Sequence, residues 1–327
     1  MSRYARQTAV PEFGSTGQNR LVAAHLLVVG AGGLAAPVLS YLAGAGVGRI
    51  TLLDGDNVSL SNLHRQTLFC MGDLGAPKAL RAAAHLAARN PDCEVIALPM
   101  SLDPLNASDL VAAADLVLDC ADSFAASYML SDTCLALGTP LISAAVIGLS
   151  GHCGGFCGGA PSLRAVFPDL PDRLGTCDAE GVLGPAVGVI GSLQAQMALS
   201  VLAGLGRSPL GQIVTFDGAG HRFGGFRFDA APEPEGGFAF IAPPQIAAGD
   251  WLVDLRAEGE PGPVLPAALR RSVTDFDHLD TRPTGRRAVL GCRSGLRAWA
   301  AARRLRAHWP GEIALIALGD NPETSKG

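Results

Sequence analysis

Lysine is nearly missing from this 327-residue chain: of 25 lysine and arginine side chains, only Lys78 and Lys326 are lysines. Positive charge as a whole is outweighed by 30 acidic residues, giving a formal net charge of −5. Such a chain has no general basic field, which argues against a protein whose main task is holding nucleic acid. The segment Met1-Ser-Arg-Tyr-Ala-Arg-Gln lacks an apolar stretch of the signal-peptide kind, so a cytoplasmic location is expected. In that compartment the eight cysteines are expected to be free, metal-bound or reactive, not a disulfide framework. Charge-free runs occur at 26–48 and 182–206, but glycines interrupt both, each holds a proline, and the second carries Gln194 and Gln196. These are features of core elements and not of membrane spans. What remains is globular, 48% hydrophobic and 17% charged, and long enough for two domains at roughly 150 residues each.

The run His25-Leu-Leu-Val-Val reads as a buried strand because its apolar residues stop abruptly at Gly30-Ala-Gly-Gly. A helical pattern over 34–45 and a strand, Arg49–Asp54, follow. Alternation continues with a helix at 78–89, a strand at 93–99, a helix at 106–114 and a strand at 116–119. Strands alternating with helices at this spacing predict an α/β fold, a Rossmann-like, mainly parallel sheet covered on both faces. After Phe228 the composition shifts to Asp-Ala-Ala-Pro-Glu-Pro-Glu-Gly-Gly, which suits a linker. The expected organisation is a nucleotide domain over 1–228, a linker over 229–248 and a smaller α/β domain over 249–322.

Gly30, Gly32 and Ala35 occupy G-x-G-x-x-G/A positions, with Gly33 beside them, and Asp54 lies 22 residues after Gly32. A glycine turn opening a helix brings backbone N–H groups up to phosphate, and an acid at the next strand end binds ribose hydroxyls. Read alone, the pattern fits a NAD-linked dehydrogenase. The sequence then continues through Asp56, Asn62, Arg65 and Gln66 to Lys78 at the start of a helix. A hydride transferase has no evident need for that cluster, whereas a triphosphate needs its cations.

Six stretches resemble the ubiquitin-activating-enzyme-like adenylyltransferases that serve sulfur-carrier proteins, the ThiF/MoeB family. They are Arg3-Tyr-x-Arg6-Gln7, the glycine turn, the run from Asp54 to Gln66, Gly75-x-Pro-Lys78, Leu118-Asp-Cys-x-Asp122, and Gly181 to Ala195, in family order over roughly residues 3–228. The resemblance implies that Asp54 holds the ATP ribose, while Asn62 and Arg65 contact phosphate or the carrier adenylate. It further implies that Lys78 neutralises the triphosphate and that Asp122 coordinates Mg²⁺. Arg6 would reach into the neighbouring subunit of a homodimer. Gly30, Gly32, Gly33, Asp56 and Gln66 complete the expected nucleotide set. The implied partners are a ubiquitin-like sulfur carrier ending in Gly-Gly and a persulfide donor such as a cysteine desulfurase, with no nucleic acid or membrane. The implied activity is adenylation of the carrier and its conversion to a thiocarboxylate, for thiamine, molybdopterin or related biosynthesis. A non-catalytic carrier-binding scaffold is the alternative from another class.

Most relatives hold a structural zinc with two C-x-x-C pairs, but the first pair falls here on Ser162 and Ala165 and the second on Asp-Ala-Ala-Pro-Glu after Phe228. Neither set supplies thiolates, so no structural zinc is expected. Cys177, on a loop before Gly181, stands where the family often has a cysteine that bonds the carrier. Cys70, Cys93, Cys120 and Cys134 read as core or strand residues. In the second domain, Cys292 ends a strand and Arg293-Ser-Gly295-Leu-Arg297 leads into a helix. Loop amides and a helix N-terminus lower a thiol pKa and stabilise an anionic persulfide, and Arg297 adds a cation. This loop, with Val253-Asp-Leu-Arg256 before it, resembles the rhodanese C-R-x-G-x-R loop, on a unit shorter than a typical rhodanese domain.

Overall fold

The computed structural model describes residues 3–170, 181–260, 264–265, 267–277, 283 and 287–319. Its chain divides into two units, the larger holding most residues up to Glu233 and the smaller formed mainly by the chain from Pro234 onward.

In the larger unit, helices α1 (Ala5–Thr8) and α2 (Gly14–Ala23) precede β1 (His25–Val29), α3 (Ala35–Ala45) and β2 (Arg49–Leu53). Then come α4 (Lys78–Arg89), β3 (Glu94–Leu98), α5 (Ala107–Ala112), β4 (Leu116–Asp119), α6 (Phe124–Leu137), β5 (Pro140–Ile147) and β6 (Ser150–Cys157). Helices α7 (Leu163–Val166) and α8 (Gly184–Ala203) and strands β7 (Gln212–Asp217) and β8 (Arg222–Arg227) complete it. The sheet runs β3-β2-β1-β4-β5-β6-β7-β8, parallel from β3 to β5 and antiparallel beyond. Side chains alternate across a strand, so Leu26 and Val28 join α3 and α8 in one core while Leu27 and Val29 join α6 in the other. Burial on both faces is why the interiors of β1, β2 and β4 are largely apolar, with Thr51 the one polar residue between apolar neighbours. Helix α8 is long and apolar enough to cross a membrane by length and composition, yet half of it is buried in the unit. Its Gln194 donates to the carbonyls of Asp119 (2.8 Å) and Ile142 (3.0 Å), which marks it as a core helix.

The smaller unit carries a five-stranded parallel sheet of β9 (Ala239–Phe240), β10 (Trp251–Asp254), β11 (Leu269–Arg270), β12 (Arg287–Cys292) and β13 (Glu312–Ala317), with α9 (Leu296–Arg306) against it. The order is β11-β10-β12-β13-β9. Ala298, Trp299, Ala301, Ala302 and Leu305 form the buried stripe of α9, the three-to-four-residue spacing of an amphipathic helix. Residues 229–248, read from sequence as a linker, instead supply the edge strand β9, paired with Ala314 and Leu315. Phe238 meets the Trp299 ring edge-on at 5.4 Å. Two strand residues are too few to show a period, so this pairing leaves no pattern in the sequence.

Candidate functional site

Strand order reverses at β1, which has β2 on one side and β4 on the other. In an open α/β sheet, ligands bind in the crevice outside the strand ends at that reversal. Gly30 leaves β1 there with φ +94°, and a Cβ on it would stand 2.6 Å from the Cys120 carbonyl oxygen at the end of β4. Only glycine fits that approach. Gly32 is open, with Gln66 Nε2 about 3.8 Å from its Cβ position, and Gly33 lies against Val187 and Arg65.

Asp54, at the end of β2, accepts from the Ala31 amide (2.6 Å) and the Asp56 amide (2.8 Å), tying the glycine turn to the next loop. Burial raises its pKa, opposed by those amides and by the nearby Lys78 cation. Lys78 opens α4 and is only 6% exposed. Its ammonium pairs with Asp56 at 2.9 Å, and its amide bonds the Asp56 carbonyl. The Asn62 carbonyl accepts the amides of Arg65 and Gln66. That turn buries Gln66 and leaves its Oε1 without a hydrogen-bond partner. Arg65 borders a cavity of about 490 Å³ that Gly33, Pro37, Thr67, Gly184 and Val189 also line. Asp122 is exposed beyond the end of β4, and Arg6 is exposed on α1. The fold therefore brings Gly30, Asp54, Asp56 and Lys78 together, with Gln66 beside Gly32 and Arg65 beside Gly33. Cys177 lies outside the described residues.

Three supporting groups escaped the sequence reading. Asp119 is fully buried beneath the turn that presents Asp122, accepting from Ser143 Oγ (2.7 Å) and the Ala121 amide (3.2 Å). Burial raises its pKa, against the pull of those donors. Gln194 is a polar residue within an apolar helix, the one signal of its role. Asp73, also fully buried, accepts from the Cys70 amide (2.9 Å), Arg81 Nε (2.6 Å) and His85 Nε2 (2.8 Å). Burial opposes its charge, but these donors hold it well below the usual carboxylate range. This cluster fastens the loop before Lys78 to α4. It also corrects the reading of Cys70, which is exposed on that loop, its thiol donating to Asp73 at 3.3 Å. A loop thiol satisfied by a buried acid has no sequence period to reveal it.

The remaining core thiols are poor nucleophile candidates: burial pushes Cys93 up to about 11, Cys157 up to about 12, and Cys120, Cys134 and Cys153 upward as well. Where two zinc-binding pairs would lie, the Ser162 amide and hydroxyl donate to the Glu233 carboxylate at 2.7 and 2.5 Å. Cys292 closes β12 and is fully buried. Arg293 follows, Gly295 turns the chain with φ +83°, and Arg297 enters α9 in an ion pair with Glu260. A groove of about 470 Å³ near this loop is lined by Arg256, Arg270, Arg271 and Arg297.

The chain is 44% identical over 218 residues to the Bos taurus protein named adenylyltransferase and sulfurtransferase MOCS3, covering 66% of this chain and 48% of that one. It is 40% identical over 225 residues to the sulfur carrier protein adenylyltransferase of Thermus thermophilus, covering 66% of this chain and 83% of that one. The chain spans about half the length of the first curated relatives it matches. E. coli MccB, solved with ATP, shares the fold with a TM-score of 0.64 at 20% identity, over 72% of this chain and 73% of that one. The ThiF family description matches residues 4–236, from the N-terminal helices through the glycine turn, Lys78 and Asp122 to the end of the larger unit, and the chain belongs to the ThiF family.

Proposed function

We propose that the larger unit binds ATP and adenylates the C-terminal Gly-Gly carboxylate of a ubiquitin-like sulfur carrier, and that Cys292 delivers the sulfur that replaces AMP. The observation that carries the first step is the gathering of the glycine turn, Asp54 and the nearly buried Lys78 at the strand-order reversal. The residues fit a nucleotide triphosphate. Turn amides and the α3 N-terminus favour phosphate, and the donor Nε2 of Gln66 lies beside Gly32 of the same turn. Asp54 keeps lone pairs for ribose hydroxyls, and Asn62 and Arg65 face the phosphates or the adenylate. Lys78 would leave Asp56 for the triphosphate, so that Asp56 holds the ammonium in place until substrate arrives.

Attack of a carboxylate on the α-phosphate sets anion against anion, so fixed cations lower the barrier most where charge accumulates. Asp122 is the residue to hold Mg²⁺, an ion that takes one or two carboxylates plus substrate phosphates and neutralises their charge. Arg6, exposed on α1, would complete the neighbouring site of a homodimer. The rhodanese-like smaller unit would accept sulfur from a persulfide donor such as a cysteine desulfurase. The outer sulfur of the Cys292 persulfide would then attack the acyl adenylate, expelling AMP and leaving the carrier as an acyl disulfide on Cys292. A second thiol, Cys177 or an external thiol, would attack the Cys292 sulfur, releasing the carrier thiocarboxylate for thiamine, molybdopterin or related synthesis in the cytoplasm and leaving a disulfide that an external dithiol reduces.

ATP–pyrophosphate exchange is the test. It is expected only with a carrier ending in Gly-Gly, and Lys78→Ala and Asp122→Ala are each expected to abolish it. Unimpaired exchange in both variants would overturn the site. A Cys292→Ser protein that still accepts sulfur from thiosulfate at the normal rate would remove that residue from the second step.

A further inference from the structure

Asp122 is exposed, on a stretch over 120–123 that belongs to neither β4 nor α6. Ser123, which precedes α6, gives that helix no side-chain cap. A carboxylate on irregular chain would sample many positions in water, whereas Mg²⁺ requires a near-ideal octahedral arrangement of its oxygens. The stretch is nevertheless anchored at its start. The Cys120 amide bonds the Val29 carbonyl at 2.9 Å, and the next amide, that of Ala121, bonds Asp119 Oδ1 at 3.2 Å. An aspartate that accepts from the amide two residues on closes a turn with its own side chain.

What holds Asp119 is spread over three other elements. Its Oδ2 accepts from Ser143 Oγ at 2.7 Å, the residue opposite it on β5. Its carbonyl accepts from Gln194 Nε2 of α8 at 2.8 Å. On β1 it lies in register with Val29, the residue before Gly30. The side chain is fully buried, so its carboxylate is out of reach of a ligand in the crevice. A hydroxyl and an amide are neutral donors, and a buried carboxylate facing neutral donors is costly to keep. The other residues of β4, Leu116, Val117 and Leu118, are all apolar. A carboxylate in that setting supplies what they cannot, two acceptors on one short stem, one for β5 and one for the turn.

We infer that Asp119 is a positioning residue for adenylyl transfer: its carboxylate braces the turn against β5 and so fixes where Asp122 stands for the Mg²⁺ that accompanies the triphosphate. This rests on the reading of Asp122 as the residue that holds that ion.

The test is cation binding, measured without turnover. The full chain is loaded with the α,β-methylene analogue of ATP, which cannot release pyrophosphate. It is then titrated with Mn²⁺ in place of Mg²⁺, the free ion being followed by its EPR signal. Asp119→Ala is expected to weaken Mn²⁺ binding roughly tenfold, as loss of a group behind a metal ligand does, with metal-free affinity for the analogue unchanged. Asp119→Asn keeps an acceptor for Ala121 and can donate to Ser143, whose hydroxyl serves in either sense; it is expected to bind Mn²⁺ as the parent does. Parental Mn²⁺ binding in Asp119→Ala overturns the inference. An equal loss of metal-free analogue binding also overturns it, because Asp119 would then support the whole crevice. So does an Asp119→Asn protein as weak as Asp119→Ala, which would make charge the cause. Should Asp119→Ala melt early, Ser143→Ala serves: it frees Oδ2 and is expected to weaken Mn²⁺ binding by less, and an unshifted titration overturns the inference equally. Failure of the underlying reading is separable, because Asp122→Ala would then bind Mn²⁺ as the parent does.

Discussion

At the scale of single residues, Gly30 is held by geometry that no other residue type reproduces. Gly30 combines a left-handed φ of +94° with a Cβ position 2.6 Å from the Cys120 carbonyl. Gly30→Ala meets both the left-handed penalty and an overpacked contact against backbone, together on the order of 2–4 kcal/mol. That is a large share of a typical stability of roughly 5–15 kcal/mol. Urea unfolding should show a midpoint falling without a change in slope, along with loss of nucleotide binding. Glu260 offers a different measurement. Its hydrogen bonds from Arg297 outweigh burial and bring its pKa from 4.5 down to about 2. Because the folded value is the lower one, the stability Glu260 contributes is complete above about pH 4.5 and is lost as pH falls toward 2. All three tryptophans, Trp251, Trp299 and Trp309, lie in the smaller unit, so their fluorescence reports on it. The stability gap between parent and Glu260→Gln in urea is expected to be widest above pH 4.5 and to close toward pH 2. A gap of constant size would show that the pair carries none of the acid dependence.

At the scale of elements, the segments legible in the sequence are those whose neighbours are repetitive. β1, β2 and β4 are buried on both faces, so their composition announces them, and the glycine turn with Asp54 announces the nucleotide crevice. What stayed hidden depends on partners distant in sequence. The bonds of Gln194 to Asp119 and Ile142 span 75 and 52 positions, and the Ser162–Glu233 contact spans 71. That contact fastens the end of the larger unit at the place where the family's zinc-binding pairs would fall. Ser162 is buried, and its hydroxyl also accepts the Ala165 amide at the start of α7. Glu233→Ala strips the acceptor from two donors at once and is expected to cost about 1–3 kcal/mol, in the range for hydrogen bonds to a charged group. Thermal melting with and without a strong chelator makes the distinction. The chelator should leave the melting temperature unchanged, while Glu233→Ala lowers it. A chelator-induced drop would indicate a bound metal that holds this segment.

At the scale of the whole molecule, the arginine richness and lysine poverty of the chain acquire a structural sense. Lys78 sits almost buried in a crevice, closed on Asp56, whereas Arg6 stands exposed on the first helix. A compact ammonium suits a point contact with phosphate from within, and a planar guanidinium suits reaching across to a phosphate or carboxylate from outside. If Arg6 completes the site of a second copy, the two cations that serve one reaction belong to different chains. Arg6→Ala and Lys78→Ala are then each expected to be inactive in carrier-dependent exchange. Mixing the two after subunit exchange creates dimers in which one site has both residues intact: the Lys78 of the Arg6→Ala chain and the Arg6 of the Lys78→Ala chain. Random pairing makes about half of the dimers mixed, each with one good site of two, so activity should recover to about a quarter of the parent value. If Arg6 served its own chain, neither chain in a mixed dimer would hold a complete site, and no recovery would occur.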